Sequence, residues 1–147
     1  MIKIKVEARI KRQAILDRSP AVHLWAVLDE AVLRRSVGGD EVMAEQIDHL
    51  QSMARRPNVD IQVLPCSAGA HAAGSGGHFV ILGRDDQGDP LSGVNVVYLE
   101  LHRRGLYLDA SNEVQSYKLM FDYLRSQAAD TSASLNLLTA ARQELSR

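Results

Sequence analysis

The chain has one cysteine, Cys66, among its 147 residues. An internal disulfide is therefore excluded, and a single thiol does not supply the roughly four ligands of a structural zinc site. Charge of one sign is also missing: 17 Lys and Arg against 18 Asp and Glu leave a formal net charge of −1. This excludes a surface built throughout to grip phosphate, because such affinity comes from clustered cations that displace counterions. The one concentrated positive segment, Lys3, Lys5, Arg9, Lys11, Arg12 and Arg18, is interrupted by Glu7 and Asp17, and reads as a solvated helix face or linker. No apolar run approaches the roughly 18–20 residues that span a bilayer. Met1 leads into Ile2-Lys3-Ile4-Lys5-Val6-Glu7, which has neither an uninterrupted apolar stretch nor a small-residue cleavage site, so no membrane partner and a cytoplasmic location are expected. Gly-Lys-Ser/Thr and Gly-x-Gly-x-x-Gly are both absent, which leaves nucleotide binding without a motif and the chain with no expected cofactor.

What remains is an ordinary apolar and charged balance, 46% and 24%, expected to fold as a single domain over residues 1–147. Val6, Ile10 and Ala14 predict an N-terminal amphipathic helix ending before Ser19-Pro20. The apolar run His23-Leu24-Trp25-Ala26-Val27-Leu28 predicts a strand buried on both faces. Gly38-Gly39-Asp40 supplies a turn and an N-cap for a helix with Met43, Ile47, Leu50 and Ala54 on its inner face, stopped at Arg55-Arg56-Pro57. Val59, Ile61 and Val63 alternate with Asp60 and Gln62 as a second strand, so a parallel crossover is expected. A loop of small residues follows from Ser67 to Gly77. Two strands, His78 to Leu82 and Asn95 to Leu101, then form a hairpin about the polar turn Arg84 to Pro90, and Leu106-Tyr107-Leu108 adds a fifth strand. Two C-terminal helices close the chain. The first has Val114, Tyr117, Phe121, Leu124 and Ala128 on one face behind a Ser111 cap; the second has Ser134, Leu138, Ala141 and Leu145 behind Asp130 or Thr131. The expected fold is α/β: a single mixed sheet of about five strands flanked by helices.

Several segments together resemble one family: Arg12-Gln13-Ala14-Ile15-Leu16, the run from Leu28 to Gly39, Arg56-Pro57-Asn58-Val59, Val63-Leu64-Pro65 and Gly69-Ala70-His71-Ala72. Val97-Tyr98-Leu99-Glu100, Leu106-Tyr107-Leu108 and Val114-Gln115-Ser116-Tyr117 continue the match in order. The chain is similar to the domain of unknown function 5753. The resemblance implies the C-terminal, effector-sensing half of an actinobacterial, antitoxin-like transcription regulator that carries a xenobiotic-response-element-type helix-turn-helix, often encoded beside a small partner protein. Nothing in residues 1–147 is left over for two helices around a short turn, so direct DNA binding by this chain is not expected. Two origins stay open, a domain separated from its DNA-binding half or a stand-alone copy. The element order also loosely resembles half of a phospholipase D-like fold. The His-x-Lys signature of that chemistry is missing, since Ala73 stands two residues after His71.

Seven residues are candidates for ligand binding: Asp29, Glu30, Arg34, His71, His78, Tyr98 and Glu100. Asp29 and Glu30 follow the first strand, where open α/β sheets place ligands; the alternative is that Glu30 pairs with Arg34 or Arg35 and steadies the turn. His71 lies past the second strand, at the same edge if the two strands are parallel, as an effector contact or as a residue fixing its own loop. His78 is seven residues on, which is not a standard metal-pair spacing, so no metal site is expected. Tyr98 and Glu100 share a face by the period of two, as a wall and an acceptor of a cleft; the alternative for Glu100 is an edge-strand charge against aggregation. Cys66, with His71 and Glu100, has the residue types of a nucleophile, base and orienter but no local signature, so a small buried hydrophobe is the preferred reading. Trp25 reads as core packing. No catalytic residue is assigned. The expected function is a non-enzymatic regulatory domain, dimeric, binding a small-molecule effector or a small partner protein. The alternative is a stand-alone binding protein or small enzyme with its cleft around Asp29, Glu30, His71 and Glu100.

Overall fold

The computed structural model describes residues 2–71, 73–83 and 95–146. Its elements run α1 (Ile2–Gln13), β1 (Leu24–Asp29), α2 (Ala31–Arg34), α3 (Asp40–Met53), β2 (Val59–Leu64), β3 (Val80–Gly83), β4 (Asn95–Glu100), β5 (Gly105–Leu108), α4 (Ser111–Gln127) and α5 (Thr131–Glu144), with 3-10 turns at Ala14–Asp17 and Cys66–Ala68. They gather into two compact units, one running to Cys66 and resuming at Ala129, the other spanning Ser67–Ala128.

In the first unit β1 and β2 pair in parallel, from Leu24 opposite Val59 to Asp29 opposite Leu64, joined by the expected helical crossover. Gly38 and Gly39, at φ of 79° and 93°, make the turn into α3 in a region that glycine enters without steric cost. Gly39 takes the cap position expected of Asp40. Asp40 and Glu41 instead stand in the first turn, where the exposed N–H groups favour negative charge. Met43 and Ile47 are buried on the inner face of α3, with Leu50 and Ala54 half-buried. Asp130 caps α5, its side chain accepting from Ala133 N at 2.7 Å. The stripe Ser134, Leu138 and Ala141 then meets Leu33, Ile47 and Val63 in the main core.

The single five-stranded sheet is not formed. Among the described residues there are five strands, in a two-stranded parallel sheet β1-β2 and a three-stranded antiparallel sheet β3-β4-β5. The reason lies on the outer edge of β2. Val63 N donates to Ser134 Oγ at 2.8 Å, Ala129 N donates to Val63 O at 2.9 Å, and Ser134 Oγ donates to Ala129 O at 3.2 Å. The entry to α5 thus takes the backbone groups that a further strand would need. Gln62, which alternates with the apolar residues of β2, is also buried, for a related reason: its amide accepts from Trp25 Nε1 at 2.8 Å and donates to Ala129 O at 3.0 Å. Nor is β1 buried on both faces, since Leu24 and Asp29 are exposed and the four residues between them half-buried.

In the second unit β4 is the central strand, with Tyr98 opposite both Val80 and Tyr107. α4 packs on β3 and β4, and Phe79 sets its ring against the edge of Tyr117 at 5.1 Å. Val114 and Leu124 are buried as expected, and Lys118 is buried with them; Ala110, not Ser111, is the cap residue. The hairpin turn Arg84 to Pro90 and Ala72 of the small-residue loop lie outside the described residues. α1 ends earlier than expected, passing into the 3-10 turn at Ala14, and its Val6 and Ile10 are exposed. Among the described residues no helix is long and apolar enough to cross a membrane.

Candidate functional site

Two features of the first unit have the character of a site: a polar cluster at the carboxyl end of the parallel strands, and an apolar groove on one face of the same sheet.

The cluster begins where β1 ends. Asp29 Oδ1 accepts from Ala31 N at 2.8 Å and so starts α2. Glu30 N continues the parallel ladder to Leu64 O at 2.9 Å. The Glu30 carboxylate, 12% exposed, meets Arg34 Nη1 at 2.5 Å through Oε1 and accepts from Cys66 N at 2.7 Å through Oε2. Arg34 also reaches both carboxylate oxygens of Glu144 on α5 at 3.3 Å. Glu30 and Arg34 are thus brought together, one of the two arrangements weighed from sequence, while the Asp29 side chain next to them is engaged with the start of α2. The Arg34 hydrogen bond, followed by the Cys66 backbone N–H, holds the Glu30 carboxyl below the usual range. The neighbouring Cys66 thiol is pushed up, first by desolvation and then by the charge of Glu30. Cys66 is exposed rather than buried, and its elevated pKa keeps it as the thiol, the poor nucleophile of the pair.

The other four candidates stand in the second unit. His71 is half-buried and its carbonyl accepts from Gly74 N at 3.0 Å. His78 is exposed just ahead of β3. Tyr98 lies 5.0 Å from the Tyr107 ring, over Gly105, where a Cβ would come within 2.4 Å of Tyr98 Cε2. Exposed Glu100 follows on the same face of β4.

The groove was not singled out by the sequence. Its volume is about 260 Å³. Buried Leu16, Val59 and Ile61 form its floor, half-buried Ala26, Leu28, Leu50 and Met53 its walls, and exposed Gln13, Gln46 and His49 its polar edge. It exists because α3 covers the β2 side of the parallel pair while Leu24, the first residue of β1, stays 41% exposed. The signal available beforehand was a second stripe on α3, Gln46, His49 and Met53 at i, i+3 and i+7, beside the fully apolar one.

A family model described as Domain of unknown function (DUF5753) matches residues 1–140. The chain belongs to the DUF5753 family. No curated protein and no solved structure matches it. Among the described residues this DUF5753 domain has no group of three or more His, Cys, Asp or Glu placed to hold a metal ion.

The cluster carries a pH signature. The folded-state pKa of Glu30 lies below its unfolded value, so the pairing contributes stability above that unfolded value, about 4.3. That contribution is lost as the pH falls through the folded-state pKa. Arg34→Met is expected to lower the thermal midpoint of the DUF5753 domain at pH 7, with the deficit shrinking by pH 3. Paired melting curves across that range check it, and a deficit independent of pH would contradict it.

Proposed function

We propose that this DUF5753 domain is the non-enzymatic regulatory module of a cytoplasmic transcription regulator, taking a small, largely apolar effector in the groove between β1 and α3. The observation that carries the reading is the contrast between the two features of the first unit. The polar cluster directs its groups at one another: both Glu30 oxygens are engaged, and Arg34 bridges Glu30 and Glu144. The groove has an aliphatic interior and an open mouth edged by three polar side chains, the usual composition of a small-molecule site. Its volume of about 260 Å³ sits at the low end of ligand pockets, roughly 300–1,000 Å³, which suits an effector with a compact apolar body and one polar group.

Transmission follows from position. Gln13 ends α1 and Leu16 lies in the 3-10 turn after it, and both line the groove. A ligand there touches the base of the helix that, by the family resemblance, leads to the helix-turn-helix. Coupling then requires only that the effector bind better to one arrangement of α1 than to another.

The test is titration with the neutral fluorophore N-phenyl-1-naphthylamine, whose emission rises on entering an apolar site. Wild-type protein is expected to give saturable enhancement. Ala26→Phe fills the groove from the middle of β1 and is expected to abolish the enhancement while the thermal midpoint is retained. Absence of binding, or equal binding by Ala26→Phe, would contradict the proposal.

A further inference from the structure

α1 and the groove carry complementary halves of one contact. The helix has Lys3, Lys5, Arg9, Lys11 and Arg12 against Glu7 alone. Its Val6 and Ile10, one turn apart on one face, are 49% and 60% exposed, and within its chain it packs chiefly on the 3-10 turn that follows. α3, which forms one wall of the groove, has Asp40, Glu41, Glu45 and Asp48 and no Lys or Arg. Asp48 is held by Arg142 at 3.1 Å, whereas Glu41 and Glu45 are exposed. Val42, 52% exposed, lies one turn before the groove residue Gln46 on the same side of α3.

The geometry points to a second copy of this chain as the partner: α1 of each molecule lies in the groove of the other, giving a symmetric, arm-exchanged dimer. This rests on reading the groove as the regulatory site and names its resident occupant. The helix of the same molecule is poorly placed to fill it. Gln13 at its end already stands on the polar edge of the groove and keeps helical backbone angles, φ −60° and ψ −27°, as the chain passes straight into the 3-10 turn, so no reversal folds α1 back. The lengths agree, since 12 residues of α1 and 14 of α3 span about 18 and 21 Å at 1.5 Å per residue. Val6 and Ile10 supply the i and i+4 apolar anchors of a helix lying in a groove. The basic flanks facing acidic α3 add attraction that salt weakens, and mutual exchange closes the assembly at two. An effector entering the groove then competes with the arm, which converts ligand binding into release of α1.

Sedimentation velocity of the full chain tests this. The wild type is expected to show a reversible monomer–dimer equilibrium that shifts toward monomer as salt rises from about 0.05 to about 0.5 M. Val6→Asp with Ile10→Asp alters two exposed side chains and is expected to weaken the dimer at least about a hundredfold with helical content retained. Glu41→Lys with Glu45→Lys is expected to weaken it without touching the apolar lining. A dimer that survives Val6→Asp with Ile10→Asp overturns the exchange. A wild-type chain that stays monomeric at every concentration but binds N-phenyl-1-naphthylamine overturns the exchange and leaves the groove reading standing. A monomer that does not bind the probe overturns both.

Discussion

Leu138→Ala is expected to destabilise the first unit by about 2–5 kcal/mol. Leu138 is fully buried at the centre of the main core, against Leu33 of α2, Ile47 of α3, Val63 of β2 and Ala141 of its own helix. Truncation removes the transfer free energy of the side chain and leaves a cavity where four elements meet, and elements held from several sides close such a space only in part. Urea denaturation followed by tryptophan fluorescence measures it, because Trp25 is the one tryptophan and lies in the first unit. Leu138→Met nearly conserves volume and is expected to cost under about 1.5 kcal/mol. Equal losses in the two variants would contradict the placement of Leu138 in a close-packed core.

Ser134→Ala is expected to cost about 1–3 kcal/mol, although it removes a single oxygen. That oxygen accepts from Val63 N at 2.8 Å and donates to Ala129 O at 3.2 Å, and Ser134 is fully buried. Alanine leaves a buried N–H without its acceptor, and the full desolvation penalty of that group then appears. The same change reopens the outer edge of β2, and an unpaired edge is where strands add or chains aggregate. Denaturation gives the energy and hydrogen exchange gives the location: the Val63 amide is expected to exchange faster in Ser134→Ala, ahead of its neighbours Gln62 and Leu64. Unchanged exchange at Val63 would contradict the capped edge.

That edge also shows where legibility in the sequence ended. The inner faces of α3 and α5 are readable because Met43 and Ile47, and Ser134, Leu138 and Ala141, recur at the helical period, and burial imposes that period on composition. The strands are readable from alternation in β2 and from short apolar runs between turn signals elsewhere, and the parallel relation of β1 and β2 from the helix between them. Sheet membership is not. It depended on Ser134 and Ala129 reaching β2 from about seventy residues away, and hydrogen bonds from a turn to a strand edge leave no periodic trace. The burial of Gln62 in β2 left no periodic trace on the same account.

The candidate site was legible in part. Glu30 and Arg34 do meet just beyond the end of β1, because the end of a parallel strand gathers whatever follows it. What alternation along the chain could not show is that Arg34 would also be claimed by Glu144 from α5. The groove was hidden for a different reason. The run from Leu24 to Leu28 has the composition of a strand covered on both faces, and an apolar residue reads the same whether a helix covers it or a gap is left for something else.

Under the proposed arm exchange, occupancy of the groove and the state of α1 are one equilibrium. Hydrogen exchange of the α1 backbone, residues 2–13, with and without saturating N-phenyl-1-naphthylamine tests it most directly. Exchange across α1 is expected to be faster in the presence of the probe, because the displaced arm loses the groove that protects it. Saturation of the groove with no change in α1 exchange would contradict it.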